Sequence, residues 1–180
     1  MPPIKRLLLV YHTRTGLSHQ IASSMRTGAI NAASTMGSPL SVDFLRPREA
    51  TVGHLLRADG YLFACPENLA SVSGEMLEFF HDKYYYAFSA DGEGSLIAGR
   101  PVGMAVASGS DGSAAAAQMS RICRGWRLRE VTEEVLVVKN GLVQTKENIL
   151  SKKAPMGEKE RQLCEEIGGL VAATVLLEGE

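Results

Sequence analysis

Short apolar runs alternate with helix-period stretches along most of this chain, and no other feature restricts the fold as much. The run 6–11 is continuously apolar once past Arg6, and residues 61–65 and 102–107 repeat the pattern. A strand covered on both faces reads this way because it has no wet side. Residues 40–45 alternate instead, with Leu40, Val42 and Phe44 set against Ser41 and Asp43, which suits an edge strand. Residues 134–138 read as the last strand. Between the runs, Leu17, Ile21, Met25, Ala29, Ala32 and Met36 recur at helical spacing, and Gly37 stands where a C-cap glycine would. Residues 73–86 and the alanine-rich stretch 112–123 are further helices. Residues 158–177 are amphipathic, with Leu163, Ile167, Leu170, Val171 and Thr174 on one stripe.

The order is strand–helix, strand, then strand–helix three times. It predicts an α/β fold: a doubly wound five-stranded parallel sheet, strand order 2-1-3-4-5, with helices on both faces. A length of 180 residues suits a single domain over 1–180. Residues 89–99 and 139–157 read as loops long enough to be functional. Nineteen basic residues against 20 acidic ones give no electrostatic case for nucleic acid or a membrane surface. No apolar run approaches a bilayer span, and the start carries charge but no cleavage pattern, so a cytoplasmic protein is expected. Cys65, Cys123 and Cys164 are odd in number and contain no C-x-x-C, which disfavours a disulfide framework.

The turn after the first run carries the chemistry. Thr13-Arg14-Thr15-Gly16-Leu17-Ser18 joins a buried strand to a long helix. A helix start offers unpaired amides and about half a positive charge. Gly16 lets the backbone come close, and Thr13, Thr15 and Ser18 add hydroxyl donors. That combination suits a phosphate. The alternative is structural, with Ser18 a helix N-cap and the threonines ordinary turn residues. The chain has neither a Walker A loop nor a G-x-G-x-x-G here, which disfavours nucleoside triphosphate and dinucleotide sites.

These six residues resemble the S/T-x-S/T-G-x-S/T phosphate loop of the flavodoxin-like superfamily. Ala58-Asp59-Gly60, the run that follows, Pro66-Glu67-Asn68 and Ser73-Gly74 look like the second flavin loop of its NAD(P)H:quinone oxidoreductase and NADPH-dependent FMN reductase branch. Residues 99–103 running into Ala107-Ser108-Gly109-Ser110-Asp111-Gly112 look like the third. The resemblance spans roughly residues 6–123 and the closing helix. It implies non-covalent FMN held by Thr13, Arg14, Thr15, Gly16, Leu17 and Ser18 at the phosphate. Pro66, Glu67, Asn68 and Leu69, with Ser108, Gly109, Ser110 and Gly112, would lie along the ring. Asn68 also reads as a turn residue, and Asp111 or Ser113 as a helix N-cap.

Electron-carrying flavodoxins flank the ring with aromatic side chains from these loops and are strongly acidic. Here the two loops hold none, and the net charge is -1. The resemblance therefore implies an NAD(P)H-dependent oxidoreductase that passes electrons through FMN to a quinone or flavin acceptor. The alternative is a carrier without NAD(P)H turnover. An uncovered ring face would also suit a homodimer or homotetramer. No catalytic side chain and no metal site is assigned.

Other residues have structural and functional readings. Tyr84, Tyr85 and Tyr86, after Phe79 and Phe80, either pack a core or wall a substrate or dimer contact. His12 and His81 are structural or proton-donating. Cys123 and Arg129 have the C-x5-R spacing of a phosphatase, but Cys123 falls at a helix end, where its thiol is not activated. Arg121, Arg124, Arg127 and Arg129 are a solvated helix end or a seat for a nicotinamide 2'-phosphate.

Overall fold

The computed structural model describes residues 4–142, 145–151 and 155–178. Its elements in chain order are β1 (Lys5–Tyr11), α1 (Leu17–Met36), β2 (Leu40–Leu45), α2 (Val52–Arg57), β3 (Gly60–Asn68), β4 (Ser71–Val72), α3 (Gly74–Tyr84), β5 (Pro101–Ser108), α4 (Ser113–Gly125), β6 (Arg129–Glu130), β7 (Leu136–Lys139), α5 (Lys146–Leu150) and α6 (Glu158–Leu177).

The sheet runs β2-β1-β3-β5 and closes with β6 and β7, all parallel. Both closing strands pair with β5, β6 at Pro101–Val102 and β7 at Ala105–Ser108. They are one fifth strand, interrupted between Val131 and Val135, so the order is 2-1-3-4-5. One antiparallel piece departs from it: β4 folds back on the end of β3 as a hairpin. The central strands are buried on both faces, and β2 at the edge is half-exposed throughout, as its alternation predicts.

Each sheet face has its own core. One gathers Phe63, Phe79, Phe80 and Trp126 with Leu55, Met76 and Met119 from α2, α3 and α4. The other packs Leu7, Leu9, Leu62 and Ala105 against Ile21, Met25, Val171 and Val175 of α1 and α6. These two helices meet almost backbone to backbone. A Cβ on Gly168 would stand 1.8 Å from the Met25 carbonyl oxygen, and one on Gly28 1.9 Å from that of Glu165. Only hydrogen fits at that crossing.

α1 ends on Gly37 in the left-handed conformation, with the amides of Gly37 and Ser38 bonded to the carbonyls of Ser34 and Ala33. Of the two long connections, 139–157 leaves the C-terminal edge of the sheet and contains α5. The 89–99 connection lies at the opposite edge, closed by a Phe88–Ser95 bridge and a Gly99 to Arg127 hydrogen bond. Among the described residues, no helix is long and apolar enough to cross a membrane.

Candidate functional site

Parallel strands deliver their following turns to one edge, so β1, β3 and β5 bring three loops side by side. The first is 12–18. Gly16 adopts φ 102°, a left-handed geometry that a side chain would strain, and it starts α1 with open space around it. Thr13 Oγ1 accepts the Gly16 amide at 3.0 Å, which shapes the turn and leaves its own hydrogen to donate. The first intrahelical bond runs from Gln20 N–H to Gly16 O, so the amides of Leu17, Ser18 and His19 come before the helix ladder. Ser18 is the second helical residue rather than the cap, which is Gly16. Its hydroxyl is buried without a hydrogen-bond partner. Thr15 is half-buried and Arg14 exposed.

The second loop is a hairpin. Glu67 and Asn68 of β3 pair with Val72 and Ser71 of β4 across a two-residue turn, Leu69-Ala70. Both turn residues are left-handed, at φ 54° and 56°, where glycine or asparagine is the usual occupant. Leu69 is fully exposed at the tip. Asn68 Nδ2 donates to the Glu67 carbonyl at 2.8 Å, while its buried Oδ1 has no partner. Pro66 is half-buried where β3 leaves the parallel register.

The third loop follows Ser108, the buried last residue of β5. Gly109 and Ser110 are exposed, and Gly112 turns into α4 at φ 78°. A Cβ on Gly112 would meet Val137 at 2.5 Å and Ser108 at 2.9 Å, so both its conformation and its space demand glycine. Gly112 is the helix cap, although both Asp111 and Ser113 were candidates. Asp111 still contributes: its carboxylate accepts from the Ser113 amide and hydroxyl, which hold it below the usual carboxylate range.

Polar contacts brace the three loops. Ser108 and Ser110 hydroxyls donate to Glu67 Oε2 at 2.7 and 3.1 Å, tying the second loop to the third. Gln118 of α4 accepts from the Val72 amide and the Ser71 hydroxyl, both at 2.8 Å. His12 Nδ1 meets Ser73 Oγ at 2.8 Å, tying the first loop to the foot of α3. His12 is 4% exposed, and burial lowers its pKa from the ordinary 6.5. Glu75, 3.7 Å from Nε2, opposes that shift, while Arg14, Arg46 and Arg48 add to it. A histidine so enclosed is a structural tie. Arg46 lies over the Tyr11 ring at 4.7 Å from its centroid, which sets positive charge beside the first loop. Gln118, Arg46 and Arg48 are not legible in the sequence because their pairings span distant segments.

The other candidates fall elsewhere. α3 and α4 start at the loop cluster and end at the opposite edge of the sheet. Tyr84, Tyr85 and Tyr86 are exposed there, and His81 lies on the last turn of α3, so none of them lines the loops. Phe79 and Phe80 pack the core. The arginines at the end of α4 and just beyond it share that far edge, with Arg124 bonded to Glu130 and Arg129 to Glu178, which removes them from a cofactor site at the loops. Cys123 is fully buried, and burial pushes its thiol up, so it is not placed or activated as a phosphatase nucleophile. Cys65 and Cys164 are likewise buried and pushed up to about 12. Among the described residues, no cluster of side chains suits a metal ion.

No protein-family model matches the chain, and no curated protein does. Solved structures do. An oxidoreductase from Corynebacterium diphtheriae superposes with a TM-score of 0.70 at 20% identity, covering 97% of this chain and 98% of that one. A WrbA-like flavodoxin protein from Agrobacterium tumefaciens gives 0.67 at 15% identity, over 96% and 98%. A flavodoxin from the domain Archaea gives 0.68 at 12% identity, over 95% and 99%. At these identities the likeness is one of fold.

Proposed function

We propose that this chain, which has the flavodoxin-like fold, binds FMN across its three loops and serves as an NAD(P)H-dependent oxidoreductase with a quinone or flavin acceptor. One observation carries the reading. Among the described residues, three buried side-chain polar atoms lack a partner, and two of them, Ser18 Oγ and Asn68 Oδ1, lie in loops one and two. A buried polar group without a partner costs about 1–3 kcal/mol, and such groups persist where a ligand completes them. The remaining atom, Trp126 Nε1, sits in the aromatic core.

The residues present fit the group. The amides of Leu17, Ser18 and His19 with the hydroxyls of Thr13, Thr15 and Ser18 would hold the phosphate. Pro66, Glu67, Asn68 and Leu69, and Ser108, Gly109, Ser110 and Gly112, would hold the ring and its side chain. FMN, when bound, supplies two-electron carrier chemistry that no side chain here offers. The chain's own task is to bind and orient it, and to leave one face accessible. No aromatic side chain in either ring loop would cover that face, which supports access for a nicotinamide or an acceptor, and equally for a second copy in a homodimer or homotetramer. The reading places the protein in the cytoplasm, where NAD(P)H is supplied.

The test is turnover of the FMN-loaded protein. Steady oxidation of NADH or NADPH with a quinone or free flavin is expected. FMN binding with electron exchange to a one-electron acceptor, but no NAD(P)H oxidation, would instead make it a carrier.

A further inference from the structure

Glu67 is the carboxylate that joins the second and third loops, and its surroundings are unusual for a surface acid. It lies half-buried near the end of β3, beside the end of β5, where Pro66 pairs with Ala107. A single oxygen, Oε2, collects two hydroxyl donors, Ser108 at 2.7 Å and Ser110 at 3.1 Å. Ser108 Oγ also accepts the Ser110 amide at 3.0 Å, so the turn is folded around the same knot. The Asn140 amide bonds the Ser108 carbonyl at 3.0 Å, which attaches the 139–157 connection to it. Bonds to a charged acceptor are about twice as strong as neutral ones.

The knot stands apart from the anion seat. The seat follows β1, whereas Glu67 and Ser108 lie at the ends of β3 and β5, the next two strands across the sheet. A ligand whose phosphate occupies the first loop presents its other end to the knot. We propose that Glu67 is a positioning residue: by binding Ser108 and Ser110 it fixes the gap between the second and third loops, and so sets affinity for the flavin ring independently of the phosphate. This rests on the FMN reading and adds to it a residue whose loss acts on the ring end alone.

The experiment titrates the full chain with FMN and with riboflavin, which lacks the phosphate, in the parent, Glu67→Ala and Glu67→Gln. Fluorescence gives the dissociation constants, and circular dichroism melts report folding. Glu67→Ala is expected to weaken both flavins at least tenfold and by equal factors. Glu67→Gln keeps an acceptor oxygen and is expected to stay within threefold of the parent. The proposal is overturned if folded Glu67→Ala binds both flavins like the parent, or loses FMN but not riboflavin. It is overturned equally if Glu67→Gln is as weak as Glu67→Ala, or if the parent binds FMN and no riboflavin. Should Glu67→Ala not fold, Ser110→Ala replaces it and must weaken both flavins equally. A parent that binds neither flavin sinks the FMN reading itself.

Discussion

At the residue scale, a few buried polar groups are left incomplete by the protein alone. Ser18 is the sharpest. Its hydroxyl is desolvated without a partner, a penalty of about 1–3 kcal/mol that the ligand-free protein carries. Removing the hydroxyl should therefore help the ligand-free fold. Ser18→Ala is expected to raise the urea midpoint without FMN by the equivalent of roughly 1 kcal/mol and to lose that advantage when FMN is saturating. A loss of stability without ligand would mean that the hydroxyl is already satisfied. The buried Trp126, the single tryptophan, reports the unfolding.

His12 gives a pH dependence with a definite sign. Its folded pKa lies below the unfolded value near 6.5, chiefly through burial. Between the two values the unfolded chain holds more protons, so stability rises with pH across that window. The contribution is complete above 6.5 and is lost as pH falls toward the folded value. Unfolding at pH 7.5 and 5.5 should show a loss in the parent that His12→Asn does not share. Equal losses in both proteins would assign the effect to other groups.

At the scale of elements, two backbone features invite substitution. The α1–α6 crossing tolerates no methyl group, with 1.8 Å available at Gly168. Gly168→Ala should cost more than about 2 kcal/mol in urea unfolding, because the obstacle is backbone and cannot rotate away. A cost below the usual helix gain of alanine over glycine would show that the helices separate easily. The Leu69-Ala70 turn is the opposite case. Two side-chain-bearing residues hold left-handed conformations, at roughly 1–2 kcal/mol each. Ala70→Gly is expected to stabilise the protein by about 1 kcal/mol, measured the same way.

Elements with a full period were legible in the sequence. The bounds of α1, β2 and α6 follow from their apolar spacing, and Gly37 marks one end. The missed ones were too short to show a period: α2 has six residues, α5 within the expected 139–157 loop has five, and β4 and β6 have two each. α2 does carry a start signal, a capping box from Thr51, but its return partner is His54 rather than the usual acid or amide. β6 and β7 are one strand that only pairing with β5 reveals. In the site, the phosphate turn was visible because its residues are consecutive. The Glu67, Gln118 and His12 ties, joining residues 41 to 61 positions apart, were not.

At the scale of the whole molecule, a parallel sheet places three loops on one edge, and polar ties hold them in register before any ligand arrives. The tyrosines, the arginine patch and the 89–99 connection lie at the other edge and drop out of the site. What remains is a preorganised seat whose unsatisfied donors begin at α1. The most direct test is calorimetric titration of the purified protein with FMN, alongside a folded Thr15→Ala, Ser18→Ala variant. Binding at micromolar concentration or tighter is expected, weakened at least tenfold in the variant. A parent that takes up no FMN, or a variant that holds it as firmly as the parent, would contradict the account.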